Sequence, residues 1–182
     1  MTLYSSGMPE THCGKGSTLE HTRDIRDALP SAIRRLKIKS IVDAPCGDCN
    51  WIKHLDLKVK YIGIDNARPH IKEARKNIRH WNNAKAIIGD ATKEIPTADL
   101  VIARHFIQHL QNNEIIDFLS AVKRSKSKFL AITLHGVSEN IEIKNKGFRP
   151  VNLSLPPFNL GEPFTYIDDV PVLAVYKWKQ LK

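Results

Sequence analysis

The residues best suited to chemistry lie in one stretch, Ser40-Ile-Val-Asp-Ala-Pro-Cys-Gly-Asp-Cys-Asn-Trp51. Ile41 and Val42 are β-branched and apolar, as a buried parallel strand requires. Asp43 closes that run. A carboxylate there is costly to bury unless a ligand ammonium or nearby backbone amides satisfy it. Pro45 and Gly47 then break the strand. Asn50 is placed to cap a short helix over Trp51 to Leu55. A second acid, Asp65, ends the next apolar run, Tyr61-Ile-Gly-Ile-Asp65. An acid at that place can hold both ribose hydroxyls of an adenosine-containing cofactor. Strand, acid, glycine turn and helix together are how an open α/β sheet builds a cofactor site at the carboxyl ends of its strands.

A third acid follows in Gly89-Asp90-Ala91. Taken together, Asp43-Ala-Pro-Cys-Gly-Asp-Cys49, Ile64-Asp65 and Gly89-Asp90-Ala91 resemble the successive motifs of the class I methyltransferases that use S-adenosylmethionine (SAM). Three further stretches, Gly14-Lys-Gly16-Ser17, Arg149-Pro-Val-Asn-Leu153 and Pro157-Phe-Asn159, resemble a group of small bacterial and viral methyltransferases. The resemblance runs from about Gly14 to Trp178 and implies SAM as the cofactor. It places Asp43, Cys46, Gly47, Asp48, Asn50 and Trp51 in the first cofactor loop. Asp65 and Asn66 follow at the second strand end. Asp90 would bond the adenine amino group, and the amide of Ala91 the ring. Arg26 would reach the cofactor carboxylate, Arg104 would line the same cleft, and Gly14 to Ser17 would close over it. The generic loop pattern is acid-x-Gly-x-Gly-x-Gly; here Pro45 and Cys49 replace two glycines and only Gly47 remains. Glycines let a backbone approach a pyrophosphate. SAM carries none, so their loss favours SAM over a dinucleotide.

Arg104, His105 and His109 follow the fourth apolar run, and His135 follows the fifth. A histidine at the cleft mouth can act as general base on a substrate hydroxyl, because it titrates near neutral pH. His105 and His109 stand at i and i+4, which would put them on one helical face. No Glu follows His105 in the zinc-protease pattern, so no metal is expected. Cys46-x-x-Cys49 matches a redox motif. With no second pair, and a place inside the cofactor loop, it reads as structural. Pro156-Pro157 lies after the fifth strand, not after the fourth where DNA amino-methyltransferases carry their Pro-Pro, so methylation of a base amine loses ground. Arg149 and Asn152 could orient a substrate or only pin their loop.

The elements that must hold these residues alternate. Helical patterns cover Ser17–Lys37, with Ser17 and Glu20 as a capping box and Pro30 expected to kink or split it. Others cover Pro69–Trp81 and Asn113–Arg124, with a short turn over Phe106–Leu110. Strands are expected at Ser40–Ala44, Lys60–Ile64, Ala84–Ile88, Asp99–Ala103, Lys128–Leu134 and Val172–Trp178. The alternation predicts an α/β fold with a parallel sheet and helices on both faces. The resemblance makes it a Rossmann-like sheet of seven mostly parallel strands, the last antiparallel. Residues 1–16 read as a flexible arm and 136–170 as a substrate lid loop on a single domain spanning 1–182.

The 182 residues suffice for one sizeable core, and 42% hydrophobic content excludes a disordered composition. Apolar runs such as Phe129 to Leu134 are far too short to span a membrane. Met1 to Lys15 has no secretory core, and three Cys are few and odd, so a reduced cytoplasm is expected. The net charge of +9 favours polyanions, although its Lys and Arg are dispersed. The expected reaction is O-methylation of a hydroxyl on a glycan or small metabolite, with His109 or His135 as base. RNA or DNA methylation and a SAM-binding module without catalysis are the alternatives.

Overall fold

A computed structural model describes residues 10–144 and 147–180. Its centre is one seven-stranded sheet in the order β3-β2-β1-β4-β5-β7-β6. The strands are β1 (Ser40–Asp43), β2 (Lys60–Asp65), β3 (Ala84–Ile88), β4 (Leu100–Ala103), β5 (Phe129–Thr133), β6 (Thr165–Ile167) and β7 (Leu173–Lys177). The first five are mutually parallel, and β7 runs antiparallel to both β5 and β6. This is the α/β sheet that the alternating pattern predicts, in the Rossmann-like, mostly parallel arrangement that the resemblance implies. The strand order reverses between β1 and β4, the switch point at which such sheets open a crevice for ligands.

Three α-helices cover the faces: α1 (Arg23–Arg35), α2 (Arg68–Asn77) and α3 (Asn112–Ser125). The strands are apolar on both sides, so successive residues feed two cores. Ile41, Leu100 and Ile102 pack with Ile25 and Leu29 of α1 and Ile71 of α2. Val42, Val101 and Ala103 pack with Ile115, Phe118 and Val122 of α3 on the other face. Burying each large side chain of this kind contributes about 1.5–3 kcal/mol. The two cores hold β1 and β4 between them, and with them the strand ends that carry the candidate site.

Several sequence expectations change. The predicted Ser17–Lys37 helix becomes a 3-10 turn, Lys15–Ser17, followed by α1 from Arg23. Ser17 caps nothing. The hydroxyls of Thr18 and Thr22 instead bond the carbonyls of Lys15 and Thr18, and the carboxylate of Glu10 accepts from the Leu19 amide. Pro30 lies inside α1 without splitting it, because Ile25, Leu29, Ala32 and Ile33 bury one continuous face on either side of it. The Trp51–Leu55 helix shrinks to a 3-10 turn, Ile52–His54, and Asn50 is not its cap. The helix at Asn113 starts one residue earlier, behind a capping box of Gln111 and Glu114. The 136–170 stretch is not all loop, because β6 lies within it. Residues 10–16 of the expected flexible arm are tied to the sheet by hydrogen bonds, while residues 1–9 lie outside the described residues.

Candidate active site

The sheet brings the three acids to the carboxyl ends of three adjacent strands. Asp43 pairs in register with Gly63, and Asp65 with Ile88, just before Asp90. Asp43 is 2% exposed and accepts a hydrogen bond from Tyr61 Oη at 2.8 Å. Burial pushes its carboxyl up to about 7, although the Tyr61 bond and the Arg104 charge pull the other way and the Asp65 charge adds to the rise. Asp65 accepts from the Gly47 amide at 3.0 Å and the Ala67 amide at 2.9 Å, and so locks the first loop to the end of β2. His70, in the first turn of α2, donates Nδ1–H to the same carboxylate at 3.3 Å, which raises its pKa. Asn66 beside it is exposed. Asp90 is half-buried; one oxygen accepts from the Thr92 amide and hydroxyl, and the other has Lys93 Nζ at 3.7 Å. Ala91 is buried behind it.

Other expected cofactor ligands have different partners. Asp48, 2% exposed, accepts from Thr11 Oγ1 at 2.7 Å, the His12 amide at 2.8 Å and the Asn50 amide at 3.1 Å. Its carboxylate therefore pins the chain segment before α1. Asn50 donates its side-chain amide to Ser17 O at 3.0 Å and serves the same clamp. Arg26 folds back onto Leu19 O at 2.8 Å and Thr22 Oγ1 at 3.3 Å, within its own helix entry, so it does not reach for a carboxylate. Arg104 forms a bidentate pair with Asp169 at 2.6 and 3.0 Å and also bonds Gly16 O and His21 O. At 7% exposure with every arm engaged, it is a strut between the N-terminal segment and the approach to β7. Trp51 is 5% exposed and packs in the core cluster, with the Arg104 guanidinium 5.8 Å from its ring centroid.

Cys46 and Gly47 shape the loop by packing. Gly47 has φ +56°, and a Cβ on it would lie 2.7 Å from Cys13 Sγ. Cys46 Sγ fills the space that glycine leaves at Gly63 in β2. Burial raises the thiol of Cys13 well above its usual range, and the hydrogen bond with Cys49, then burial, raises that of Cys46. The three cysteines are free thiols.

His105 and His109 do not share a helical face. His105 takes φ +50°, and the turn after it, Ile107–His109, is 3-10. His105 is turned inward, where Gln108 Nε2 donates to its Nδ1 at 3.1 Å. Burial, then the Arg104 charge, lowers its pKa to about 4. His135, 9% exposed, accepts the Val151 amide at Nδ1 at 3.2 Å, and burial lowers its pKa as well. A backbone N–H can only donate, so the one proton of the neutral ring sits on Nε2. His135 therefore presents a donor, which removes it as a general base. His109 is exposed and its Nδ1 lies 2.8 Å from Gly147 O. A carbonyl can only accept, so Nδ1 carries the proton and Nε2 keeps its lone pair. Phe148 stands edge-on to both, 6.0 Å from His109 and 5.9 Å from His135 between ring centroids. A cavity of about 710 Å³ opens beside them, lined by residues 136–139, Ile141, Ile143 and 148–150. Arg149 pins this segment through Ile141 O, Leu110 O and Asn112, and Asn152 pins it through Val137 and Ser154. Both serve loop structure.

Sequence reasoning assigned no role to Tyr61, His70, Gln108 or Asp169. Tyr61 alone carried a signal: a hydroxyl inside a buried apolar run must find a polar partner. No group of three metal-ligating side chains occurs among the described residues. Among them, too, no helix is long and apolar enough to cross a membrane.

Residues 41–127 match the model of a family described as a methyltransferase domain. No curated protein matches the chain. Among solved structures, the fold is similar to CalO1, a methyltransferase in calicheamicin biosynthesis in its SAH-bound form. That match has a TM-score of 0.57 and 12% identity, covering 75% of this chain and 47% of that one. It is also similar to magnesium protoporphyrin IX methyltransferase (ChlM) from Synechocystis PCC 6803 with bound SAH, at 0.53 and 14%, covering 65% and 60%. The methyltransferase domain of bacterial CtHen1 matches at 0.55 and 14%, covering 63% and 65%. The chain thus spans less than two thirds of the length of each of these three. The fold is the Rossmann-like methyltransferase fold.

Proposed function

We propose that this chain, with its methyltransferase fold and a methyltransferase-domain match over residues 41–127, is a SAM-dependent methyltransferase acting on a hydroxyl group. The observation that carries the cofactor is Asp43, a buried carboxyl raised to about 7 with one hydroxyl donor, Tyr61, among the described residues. Such a group is completed by a cation, and the ammonium of SAM is one. Asp65 is placed for the ribose hydroxyls. Asp90, with one oxygen bound only loosely by Lys93, is placed for the adenine amino group, and the Ala91 amide for the ring. Asn66 stands exposed at the edge of the same site. Cys46 and Gly47 shape its floor.

When bound, SAM supplies a methyl group on an already positive sulfonium, so that the new C–O bond forms as the C–S bond breaks. The chain's own residues hold the acceptor near and in line, and take its proton. His109 is the base in this reading, because Gly147 O fixes its proton on Nδ1 and leaves Nε2 free to accept the hydroxyl proton. The cavity of about 710 Å³ beside Phe148 is of a size for a sugar unit or a small metabolite. The domain comprises residues 1–182, with the segment between β5 and β6 closing over the acceptor, and it works in the cytoplasm.

RNA or DNA is the second acceptor reading, favoured by one surface. An apolar cavity of about 400 Å³ is floored by Phe129 and Trp178 and rimmed by Lys126, Lys128, Lys177 and Lys179. Aromatic rings among lysines suit stacked bases and phosphates. One experiment separates the readings: the purified protein is incubated with methyl-labelled SAM and fractionated polysaccharide, metabolite, RNA and DNA pools. Label in the polysaccharide or metabolite pools is expected. Label confined to nucleic acid supports the second reading. SAM binding without transfer to any pool would leave a binding module and refute both.

A further inference from the structure

Three side-chain atoms beyond the ends of β4 and β5 are buried without a hydrogen-bond partner among the described residues: His105 Nε2, which faces Gly16, Gln108 Oε1 and His135 Nε2. Buried polar atoms are nearly always paired, so such a group asks for a ligand. The three are neighbours. His105 follows β4 and His135 follows β5, which pair in parallel, and the His105 amide bonds Thr133 Oγ1 at 2.8 Å. Gln108 bonds the His105 ring, and its carbonyl takes the Arg149 amide at 3.0 Å. Two residues on, Val151 bonds His135 in both directions. One segment, 149–151, therefore joins Gln108 to His135. Gln108 is 1% exposed and His135 9%.

The donor and acceptor roles of the three atoms follow from their bonds. The Val151 amide puts the His135 proton on Nε2. The Gln108 amino group donates to His105 Nδ1, which puts that ring's proton on Nε2 also. With its amino group so used, Gln108 leaves its carbonyl oxygen as a buried acceptor without a partner among the described residues. The site thus offers two N–H donors and one acceptor. A hydroxyl has the inverse set: one O–H to donate and two lone pairs to accept. A carboxylate would meet the Gln108 carbonyl with nothing to donate, and an ammonium would face two N–H groups with nothing to accept.

Building on the methyltransferase reading, we propose that His105, Gln108 and His135 bind one uncharged hydroxyl of the acceptor, and that this hydroxyl is not the one methylated. An oxygen receiving two hydrogen bonds has its lone pairs engaged and is a poor nucleophile. The site therefore orients the acceptor, and the reacting hydroxyl is a second one on the same molecule. The acceptor is accordingly a polyhydroxylated, locally uncharged compound, the chemistry of a sugar. Gln108 is the positioning residue that sets the His105 tautomer.

The test starts on the wild-type protein. Long-range nitrogen–proton NMR reads the tautomer of each histidine ring. Both His105 and His135 are expected as Nε2–H and His109 as Nδ1–H. An Nδ1–H tautomer at His105 or His135 overturns the proposal. In a second step, myo-inositol serves as a neutral polyol probe and cyclohexanecarboxylate as a charged one of similar size. Inositol is expected to shift the His105 and His135 resonances at concentrations where the carboxylate does not, with at least a tenfold weaker effect in Gln108→Leu. No inositol shift, equal response to both probes, or an unchanged response in the variant overturns it. Calorimetry with S-adenosylhomocysteine on the same samples keeps the two readings apart. Retained binding with failed polyol recognition sinks the hydroxyl site alone, whereas no binding by the wild type sinks the methyl-donor reading itself.

Discussion

Replacing Asp43 by asparagine tests the cofactor assignment through stability as well as binding. The carboxyl of Asp43 is raised from 3.8 to about 7, mainly by burial. A raised carboxyl pKa means that the folded protein holds this proton more tightly than the unfolded chain does. The residue therefore favours folding at low pH and increasingly opposes it as the pH climbs from about 4 to 7, with the full cost present above that. At about 1.4 kcal/mol per tenfold change in the ionisation constant, that cost is about 4 kcal/mol. An asparagine side chain cannot ionise, and its carbonyl can still accept the Tyr61 hydroxyl. Denaturant unfolding of both proteins is expected to show Asp43→Asn the more stable at pH 8, with the gap about 2.5 kcal/mol narrower at pH 5. The narrowing does not depend on how well the new amide N–H is satisfied, which offsets both pH values alike. Affinity moves the opposite way. Loss of a hydrogen bond between charged groups is worth about 1.5–3 kcal/mol, so S-adenosylhomocysteine should bind the variant roughly 10- to 150-fold more weakly by calorimetry at pH 8. A stability gap that does not change with pH, together with unchanged affinity, would refute the reasoning. The residue would then be neither a strained buried carboxylate nor a cation site.

Two further perturbations address the frame around the site. Asp169→Ala leaves the Arg104 guanidinium buried without its bidentate partner and should cost about 3–5 kcal/mol in urea unfolding, whereas a cost under about 1 kcal/mol would mean that the pair is solvent-screened. Asp48→Ala removes the acceptor of the His12 amide and the Thr11 hydroxyl, so hydrogen exchange at His12 should accelerate by roughly tenfold or more while the β4 amides hold their rates; equal acceleration in both would mean global rather than local loosening.

What the sequence makes legible is whatever is encoded within one element. Ile41-Val42-Asp43 and Ile62-Gly63-Ile64-Asp65 each carry their strand and its terminal acid in consecutive residues, so β1, β2 and the edge they form can be read directly. β6 escapes because Thr165–Ile167 is three residues at the sheet edge, too short for a periodic signal, and its pairing depends on β7 supplying a register. The clamps escape because their partners are far apart in the chain. Arg104 and Asp169 are 65 residues apart, and Thr11 and Asp48 are 37. The bonds that Asp48 accepts from Thr11 and His12 are therefore invisible in its own motif. The histidine roles escape for the same reason. Which nitrogen carries the proton is set at His135 by Val151 and at His109 by Gly147, both on the segment that folds back after β5.

The glycine-poor loop finds its explanation in the same packing. A tight turn needs space at its tip, and this chain moves the glycine rather than losing it. Gly47 stays because φ +56° and the 2.7 Å approach of Cys13 Sγ exclude a Cβ, and Gly63 on the neighbouring strand yields the room that Cys46 occupies. Cys49 takes the left-handed φ of +57° and is held there, fully buried, against the Tyr61 hydroxyl at 3.4 Å. Thiols are a hazardous choice beside a methyl donor, because a thiolate is a strong nucleophile and readily attacks a sulfonium methyl group. Burial and then the Asp48 charge raise the pKa of Cys13, while the hydrogen bond with Cys49, burial and the charges of Asp43 and Asp65 raise that of Cys46. Asp43 and Asp65, proposed to hold the cofactor, thus help keep the Cys46 thiol protonated, and Asp48 does the same for Cys13, so these two sulfurs stay inert beside a methyl donor.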